Sequence, residues 1–313
     1  MSKTIILKDE KCIDHVTTLG HPESPQRLKS IYGMLNGDDI KDRFEAVDPR
    51  QATKDEIAWN HDPEYIDTIE KTAGKDLISL DGDTNTSSGS WDASLFAVGA
   101  VLEGVDRIME GKADNGFAIV RPPGHHAENS RAMGFCLFNN IAVGAHYLLK
   151  KHGLKKVFII DWDIHHGNGT QNSFYSSPEV FYFSTHQYPY YPGTGAENET
   201  GAGEGRGYTL NVPLSGGQGD DDYLNIFEEI LGPAISRYNP EFILVSAGYD
   251  IYFCDPLGTM KVTENGFYRM TEFLKNTAAA ECKGRLLLAL EGGYHIEGIT
   301  ASVKQTILAL SAS

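Results

Sequence analysis

Seven short apolar runs recur along the chain, and most of them contain no polar interruption. Strands of this kind are covered on both faces, as in a parallel sheet, whereas strands with one solvated face alternate apolar and polar residues. The runs are TIIL (4–7), GFAIV (116–120), KVFII (156–160), VFYFS (180–184), YTLNV (208–212), EFILVS (241–246) and RLLLAL (285–290). They predict a mostly parallel sheet with helices packed against both of its faces.

Helical patterns lie between several of these runs. Ser24 and Pro25 are typical of a helix start, and the segment 90–111 begins at a serine and ends at a glycine. The segment 138–153 also ends in basic residues followed by a glycine. Later helices are predicted over YLNIFEEILGPAI, GFYRMTEFLKNTAAAE and ITASVKQTILAL. The alternation of strands and helices predicts a three-layer α/β/α sandwich.

The chain shows no sign of division into domains. Its 313 residues contain no internal repeat, no low-complexity tract and no linker long enough to separate two units. The glycine-rich segment 192–207 is predicted to be a long loop within one unit. Residues 1–313 are therefore predicted to form a single domain, a size that allows one large core.

The composition disfavours several partners and locations. With 27 lysines and arginines against 43 aspartates and glutamates, the formal charge is −16, which would repel a nucleic-acid backbone. No stretch approaches the roughly 20 apolar residues of a membrane span, and the N-terminus has no signal pattern. The four cysteines are scattered and form no CxxC pair. We expect a cytoplasmic protein with reduced thiols and without nucleic-acid or membrane partners. We also expect a homo-oligomer, because most soluble oligomers are assembled from identical chains.

Unusual polar segments follow four of the predicted strands. They are RPPGHHAENSRAMGFC after GFAIV, DWDIHHGNGT after KVFII, AGYD after EFILVS and EGGYH after RLLLAL. The carboxyl ends of parallel strands lie at one edge of the sheet, which is where α/β proteins bind their ligands. We therefore expect these four segments to converge on one site.

DWDIH has the composition of a metal site. In an extended chain, Asp163 and His165 would project to the same face, with Asp161 lying deeper on that face. Asp250, at the end of AGYD, is the best third ligand. Two carboxylates and an imidazole suit a catalytic Zn²⁺ with an open position, although the same set accepts Fe²⁺ or Co²⁺. Alternatively, the aspartates cap the following turn and the histidines pack.

The remaining segments supply groups for acid–base chemistry. His125 and His126 follow the rigid turn PPG, and two imidazoles beside a metal can serve as base and acid. Asp161 and Asn168 are plausible partners to orient these rings. Tyr294 follows two glycines and could donate a hydrogen bond to a developing oxyanion, although a packed turn is the alternative.

Together these motifs resemble the zinc-dependent histone deacetylase superfamily in its class II-type branch. The resemblance is carried by RPPGHHA, GFCLFNNIAVGA, DWDIHHGNGTQ, PGTG, SAGYD…DPLG and LEGGY, with HPESPQRL (21–28) similar to the first-loop motif. It extends from about residue 12 to residue 300. It implies the arginase/deacetylase fold, which agrees with the predicted strands and helices.

The resemblance also implies roles for individual residues. Three would bind Zn²⁺: Asp163, His165 and Asp250. His126 would be the general base and acid, His125 its electrostatic partner linked to Asp161, and Tyr294 would polarise the scissile carbonyl. Asn168 stands where other branches carry Asp, which fits the class II-type pattern.

Monovalent ions and a substrate channel are implied as well. An inner K⁺ site would use the side chains of Asp161 and Ser184 and the backbone carbonyls of Asp163, His165 and Thr185. A second K⁺ site would involve Phe174 and Tyr208. Gly134, Phe135 and Tyr191 resemble the channel that grips an acyl-lysine stem, although the family usually has Phe at the last position. Three further histidines are expected to be structural: His21, His61 and His186.

Removal of acetyl or another short acyl group from lysine side chains of peptides or proteins is therefore the expected activity. Acetylpolyamine hydrolysis is an alternative, but polyamine deacetylases of this branch carry a glutamate where this chain has Leu257. A two-manganese amidinohydrolase of the same fold would need a second carboxylate in Asp250-Ile251-Tyr252. An acyl-lysine-binding module without turnover would have lost a zinc ligand, one of the paired histidines or Tyr294, and all of these residues are present.

Overall fold

The computed structural model describes residues 3–312. Its strands are β1 (Thr4–Leu7), β2 (Glu45–Val47), β3 (Ile78–Ser79), β4 (Asn85–Thr86), β5 (Asn115–Ala118), β6 (Val157–Asp161), β7 (Val180–Gln187), β8 (Thr209–Leu214), β9 (Phe242–Ala247) and β10 (Leu286–Leu290). Eight of them form one sheet in the order β2-β1-β5-β10-β9-β6-β7-β8, and every neighbouring pair is parallel. The other two, β3 and β4, form a small antiparallel hairpin.

Helices cover the sheet. They are α1 (Pro25–Leu35), α2 (Lys54–Ile57), α3 (Pro63–Glu70), α4 (Ser90–Met109), α5 (Asn140–Lys150), α6 (Asn168–Phe174), α7 (Asp220–Ile226), α8 (Gly232–Tyr238), α9 (Glu264–Glu281) and α10 (Ile296–Ser311). Helices α4 and α5 pack together in one layer, and α1, α9 and α10 pack in the other. The central strands β6, β9 and β10 lie between these layers and are fully buried, as their continuous apolar sequence predicts.

All seven predicted strands are present, with ends shifted by a few residues, and the three-layer prediction is confirmed. The pattern missed β2, the β3–β4 hairpin and the short helices α2, α3 and α6. These elements are too brief to show a period; β2 has three residues, of which two are exposed. The helix predicted over 223–235 is divided by a π-helical segment, Phe227–Leu231, between α7 and α8.

The strand order explains why the four polar segments meet. Strands β5, β10, β9 and β6 are consecutive neighbours in the sheet and run in the same direction, so their carboxyl ends lie side by side. At this edge Asp161 is paired in register with Ser246 of β9 and with Ser184 of β7. All four cysteines are free thiols. Within residues 3–312, no helix has the length and apolar character needed to cross a bilayer.

Candidate active site

The Asp163–His165 segment is shaped by turns. Strand β6 ends at Asp161, and the next residues are bends, so the chain is not extended here as the sequence argument assumed. Asp161 Oδ1 accepts a hydrogen bond from the Asp163 backbone N–H at 3.2 Å, and Asp163 Oδ1 accepts one from the His165 N–H at 2.9 Å. Such aspartate side chains mimic a backbone turn. Two successive turns therefore aim Asp163 and His165 at one point.

Asp163, His165 and Asp250 form a buried cluster whose ligand atoms all lie within 4.8 Å of one another. His165 Nδ1 lies 3.0 Å from Asp163 Oδ1 and 3.2 Å from Asp250 Oδ2. The carboxylates are fixed by backbone donors: Ile164 N–H donates to Asp250 Oδ1 and Gly292 N–H to Asp163 Oδ2, both at 2.9 Å. The triad is thus preorganised by loops after three different strands.

Two features indicate that these side chains fit a metal ion. Asp250 Oδ2 is buried and accepts no hydrogen bond from any described residue. Burial of a carboxylate oxygen without a partner destabilises a protein unless a cation binds to it. At Gly292, a Cβ atom would collide with the carboxylates of both Asp163 and Asp250, so the space beside them requires glycine. Two carboxylates and one imidazole form the donor set of an open, catalytic divalent-metal site.

The charges in the cluster strengthen that interpretation. Burial and the neighbouring Asp163 raise the pKa of Asp250 to about 7. Burial opposes ionisation of Asp163 as well, but His125 and His165 hold the pKa of that carboxyl below its ordinary value. Burial lowers the pKa of His165, yet the adjacent carboxylates of Asp163 and Asp250 raise it to about 9. The shifts of Asp163 and His165 show that the buried carboxylates favour a nearby positive charge.

The paired histidines have different partners. His125 Nδ1 lies 3.0 Å from Asp161 Oδ2, and although burial opposes its protonation, Asp161 and Asp163 raise its pKa to about 10. His126 Nδ1 lies 2.8 Å from Asn168 Oδ1. Burial, followed by the adjacent His125 and by the nearby metal-cluster histidine, holds the pKa of His126 well below its usual value. These surroundings favour the protonated form of His125 and the neutral form of His126.

A buried glutamate, Glu291, holds the loop that carries these histidines. Its Oε2 accepts hydrogen bonds from the backbone N–H groups of Gly124 at 2.6 Å and His125 at 3.1 Å, and its Oε1 accepts one from Ser246 Oγ at 3.0 Å. Burial raises the pKa of Glu291 to about 7. Sequence reasoning missed this role; the available signal was an acidic residue directly after a buried apolar strand.

Tyr294 is held through its backbone and its ring. Its N–H donates to Asp255 Oδ2 at 2.6 Å. The Arg27 guanidinium lies 5.0 Å from the ring centroid and donates to the carbonyls of Gly293 and Glu291 at 2.6 and 2.5 Å. Burial and then Asp250 raise the pKa of Tyr294 well above its usual value, so the phenol stays protonated. Asp255 and Arg27 were not predicted, although both lie in quoted motifs, DPLG and HPESPQRL.

A cavity of about 80 Å³ leads to the cluster. Its lining combines the predicted channel residues with predicted catalytic and metal-binding side chains: Asp83, His126, Gly134, Phe135, His165, Tyr191, Leu257 and Tyr294. Asp83, in the turn between β3 and β4, was not predicted. Gly134 has a φ of +56°, and a Cβ there would collide with the His126 ring, so glycine lets this loop lie against the imidazole.

Aromatic rings form the cavity wall. The Tyr191 ring meets the His126 ring nearly perpendicularly at 5.2 Å, and Tyr190, which was not predicted, stacks on His165 at 5.7 Å. His21 contacts Phe135 edge-on at 4.6 Å, so this histidine supports the wall. The two other histidines expected to be structural make buried hydrogen bonds: His61 with the Asn139 N–H and His186 with Ser184 Oγ, both at 2.9 Å.

The predicted potassium ligands lie in two places. Asp161 accepts hydrogen bonds from His125 and from Tyr182, Ser184 Oγ is bonded to His186, and the Thr185 hydroxyl is buried without a partner in the described chain. For the second site, Phe174 ends α6 and Tyr208 precedes β8. Their carbonyls accept the N–H groups of Ser177 and Tyr182 at 2.9 Å. Both potassium sites remain predictions.

Comparison with known proteins decides the family. The histone deacetylase domain family matches residues 21–310. The chain belongs to the histone deacetylase family. Histone deacetylase 14, chloroplastic, from Arabidopsis thaliana is 40% identical over 307 residues, covering 93% of this chain and 73% of that protein. Polyamine deacetylase HDAC10 from Homo sapiens is 37% identical over 307 residues, covering 92% of this chain and 44% of that protein.

The crystal structure of the HDA15 HD domain matches this deacetylase with a TM-score of 0.94 at 40% identity, covering 99% of this chain and 88% of that one. The predicted family and the arginase/deacetylase α/β fold are thereby confirmed. The protein is a deacetylase, a hydrolase of a metal-dependent family, and its buried Asp₂His cluster could hold the metal.

Proposed function

We propose that this deacetylase is a zinc-dependent amide hydrolase that removes acetyl or other short acyl groups from lysine side chains of peptides or proteins. The observation that carries the proposal is that one cavity is lined by His126, Tyr294 and His165 of the metal cluster. A base, a hydrogen-bond donor and a metal ligand around one narrow channel are what acyl transfer to water requires.

Zn²⁺ would be held by Asp163, His165 and Asp250, the cluster whose buried oxygen and glycine-lined space fit a cation. When bound, it supplies a Lewis acid for the amide oxygen and lowers the pKa of water. We also propose K⁺ at Asp161, Ser184 and the carbonyl of Thr185, and a second K⁺ near Phe174 and Tyr208.

His126 would act as the base and later as the acid. Its Nδ1 is engaged by Asn168, which leaves Nε2 for the substrate side, and its low pKa keeps the ring neutral. His126 Nε2 takes a proton from water as the water oxygen bonds to the amide carbon. It then gives that proton to the amine nitrogen as the carbon–nitrogen bond breaks. The products are acetate and a free amine.

His125 and Tyr294 would stabilise the charges that this reaction creates. The carbonyl oxygen becomes negative as water attacks, and the protonated Tyr294 phenol donates a hydrogen bond to it. His125, held as an imidazolium by Asp161, lies beside His126 with ring centroids 4.0 Å apart. Burial and then the positive charge of His125 lower the pKa of His126, which favours its neutral form before the proton transfer.

The channel lining bears on the substrate. Leu257 places an apolar side chain where the resemblance associates a glutamate with polyamine hydrolysis, which favours a peptide-like acyl-lysine. Asp83, however, contributes a carboxylate to the same lining, and a carboxylate can bind either peptide N–H groups or a second ammonium. This residue keeps a small acetylated amine as the second candidate substrate.

The test is steady-state kinetics of zinc-reconstituted protein on an acetyl-lysine peptide and, in parallel, on N8-acetylspermidine. We expect turnover of the peptide to exceed that of the polyamine, and Leu257→Glu to shift the ratio toward the polyamine. The uncharged Leu257→Gln variant is the matched control and should not produce that shift. Turnover of the polyamine alone by the unmodified protein would contradict the proposed substrate while keeping the chemistry.

We further propose that residues 1–313 act as one catalytic domain in the cytoplasm. Four free thiols suit a reducing compartment. Homo-oligomerisation stays a prediction, which native mass spectrometry of the purified chain would check.

A further inference from the structure

The partner of the proposed base is itself held by an acid. Asn168 Oδ1 lies 2.8 Å from His126 Nδ1, and Asn168 Nδ2 donates to Glu128 Oε1 at 2.9 Å. The same Glu128 oxygen accepts a second hydrogen bond, from Asn172 Nδ2 at 3.1 Å. Glu128 is thus the outermost member of a chain that runs through one amide to His126.

The chemistry of these groups fixes the direction of every hydrogen bond in the chain. A carboxylate only accepts hydrogen bonds, whereas an amide side chain has one accepting end and one donating end. The –NH₂ end of Asn168 must therefore face Glu128, and its oxygen must face His126. An oxygen at that position requires a proton on His126 Nδ1, so the lone pair of the neutral ring lies on Nε2.

Surrounding contacts hold Glu128 in place. Arg131 Nη2 lies 3.3 Å from its other oxygen, Oε2. The carboxylate also lines an open cavity of about 430 Å³, next to Asn172. Glu128 therefore faces solvent with one side and the amide of Asn168 with the other, and it does not line the channel cavity.

We propose that Glu128 is a positioning residue that selects the Nδ1–H tautomer of His126 by fixing the orientation of the Asn168 amide. Its catalytic consequence rests on the proposed role of His126 as the base. The tautomer itself is a property of the protein and can be measured without substrate. Nothing in the local sequence shows the link, because Glu128 and Asn168 are 40 positions apart.

Charge reversal gives the sharpest test. In Glu128→Lys, a group that only donates faces Asn168, so the amide must turn and present –NH₂ to His126. The ring then carries its proton on Nε2 and cannot accept one, and kcat should fall about 100-fold, within the usual range for loss of a general base. In the double variant Glu128→Lys/Asn168→Asp, a carboxylate accepts from both Lys and His126, and kcat should recover to within about tenfold of the starting protein.

The direct readout is NMR of protein labelled with ¹⁵N-histidine, in the zinc-loaded state. Ring nitrogen shifts distinguish the two tautomers, and the His126 signals are those missing from His126→Ala. We expect Nδ1–H in the starting protein, Nε2–H in Glu128→Lys and Nδ1–H again in the double variant. Glu128→Gln replaces the carboxylate by an amide, which can either accept from Asn168 or donate to it. Both orientations of the Asn168 amide are then possible, and we expect a mixture of the two His126 tautomers. This variant provides the test if Glu128→Lys does not fold.

The matched control is Glu103→Lys on α4. Glu103 is similarly exposed and pairs with Arg107 at 2.8 Å, so it loses the same charge and a comparable arginine contact. It should change neither kcat nor the His126 signals. An Nε2–H ring in the starting protein, or an unchanged ring in Glu128→Lys, overturns the proposal. The expected tautomers without deacetylation of any substrate would instead contradict the proposed function and leave the positioning role intact.

Discussion

The two sides of the channel floor are built differently. On the histidine side, each ring is fixed by a side-chain hydrogen bond, His125 by Asp161 and His126 by Asn168. On the tyrosine side, the hydroxyl of Tyr294 makes no hydrogen bond to any residue from 3 to 312, and only its backbone and ring are held. Proton transfer needs a ring of defined protonation, whereas a donor to the substrate must be free until the substrate arrives.

The electrostatics follow the same division. On the histidine side, burial disfavours protonation of both rings, but Asp161 and Asp163 raise the pKa of His125, whereas the adjacent His125 lowers the pKa of His126 further. On the tyrosine side, the charged groups Asp255 and Arg27 bind backbone atoms of the loop, and burial raises the pKa of the phenol so that it stays protonated. Neighbouring charges therefore separate the pKa values of two chemically identical side chains, and four substitutions test the two sides of the channel floor.

The largest effect is expected at the base. His126→Ala should lower kcat by about 10³-fold because the other imidazole that lines the cavity, His165, belongs to the metal cluster. The measurement is kcat on an acetyl-lysine peptide with zinc content determined for each sample. His152→Ala, which removes a histidine bonded to Asp106 away from the site, should leave kcat unchanged. A loss below tenfold for His126→Ala would assign the base elsewhere.

Tyr294→Phe comes next, with an expected fall in kcat of about 10²-fold and little change in KM, since the lost hydrogen bond matters only as charge develops. Because that hydroxyl has no partner in the described chain, the melting temperature should not change. Tyr268→Phe on the α9 surface is the control for phenol removal. A rise in KM with constant kcat would mean that Tyr294 serves binding.

Asp255→Asn should disturb the position of Tyr294 while leaving its hydroxyl in place. Asp255 accepts hydrogen bonds from the N–H groups of Tyr294, His295 and Leu257, and an amide cannot accept all three. We expect kcat to fall about tenfold and the free energy of unfolding to drop by about 1–2 kcal/mol. Asp9→Asn, at the half-buried N-cap of the 3₁₀ turn Glu10–Ile13, is the control in the same denaturation and kinetic assays. An unchanged kcat would show that the loop holds Tyr294 without this carboxylate.

The smallest effect concerns pH. His126 must be neutral to act, and the positive charge of His125 contributes to the lowering of its pKa, second to burial. His125→Asn removes that charge, so the pKa of His126 should rise and the acid limb of the kcat/KM profile should move to higher pH. The asparagine amide can still donate to Asp161. A limb that stays in place or moves to lower pH would mean that burial alone sets the protonation of His126.

The sequence predicted the part of the molecule that local patterns encode. Uninterrupted apolar runs specify buried parallel strands, and the polar residues at their ends follow from the sheet edge at which ligands bind. That reasoning brought Asp163, His165 and Asp250 into one cluster, and the structure brings their ligand atoms together. The family resemblance added the channel residues, and the cavity lining contains all four of them.

Tertiary structure decided what holds these groups in position. Glu291, Arg27, Asp255 and Glu128 act through hydrogen bonds to backbone or side chains far away in sequence, such as Arg27 to Gly293. Even where such a residue lies in a motif, as Arg27, Asp255 and Glu291 do, its hydrogen bonds do not follow from the local sequence, because an acidic or basic residue looks the same there whether it is solvated or buried against a loop. The sequence therefore determined which side chains reach the edge of the sheet, and only the packed chain determined their charge, tautomer and freedom to meet a substrate.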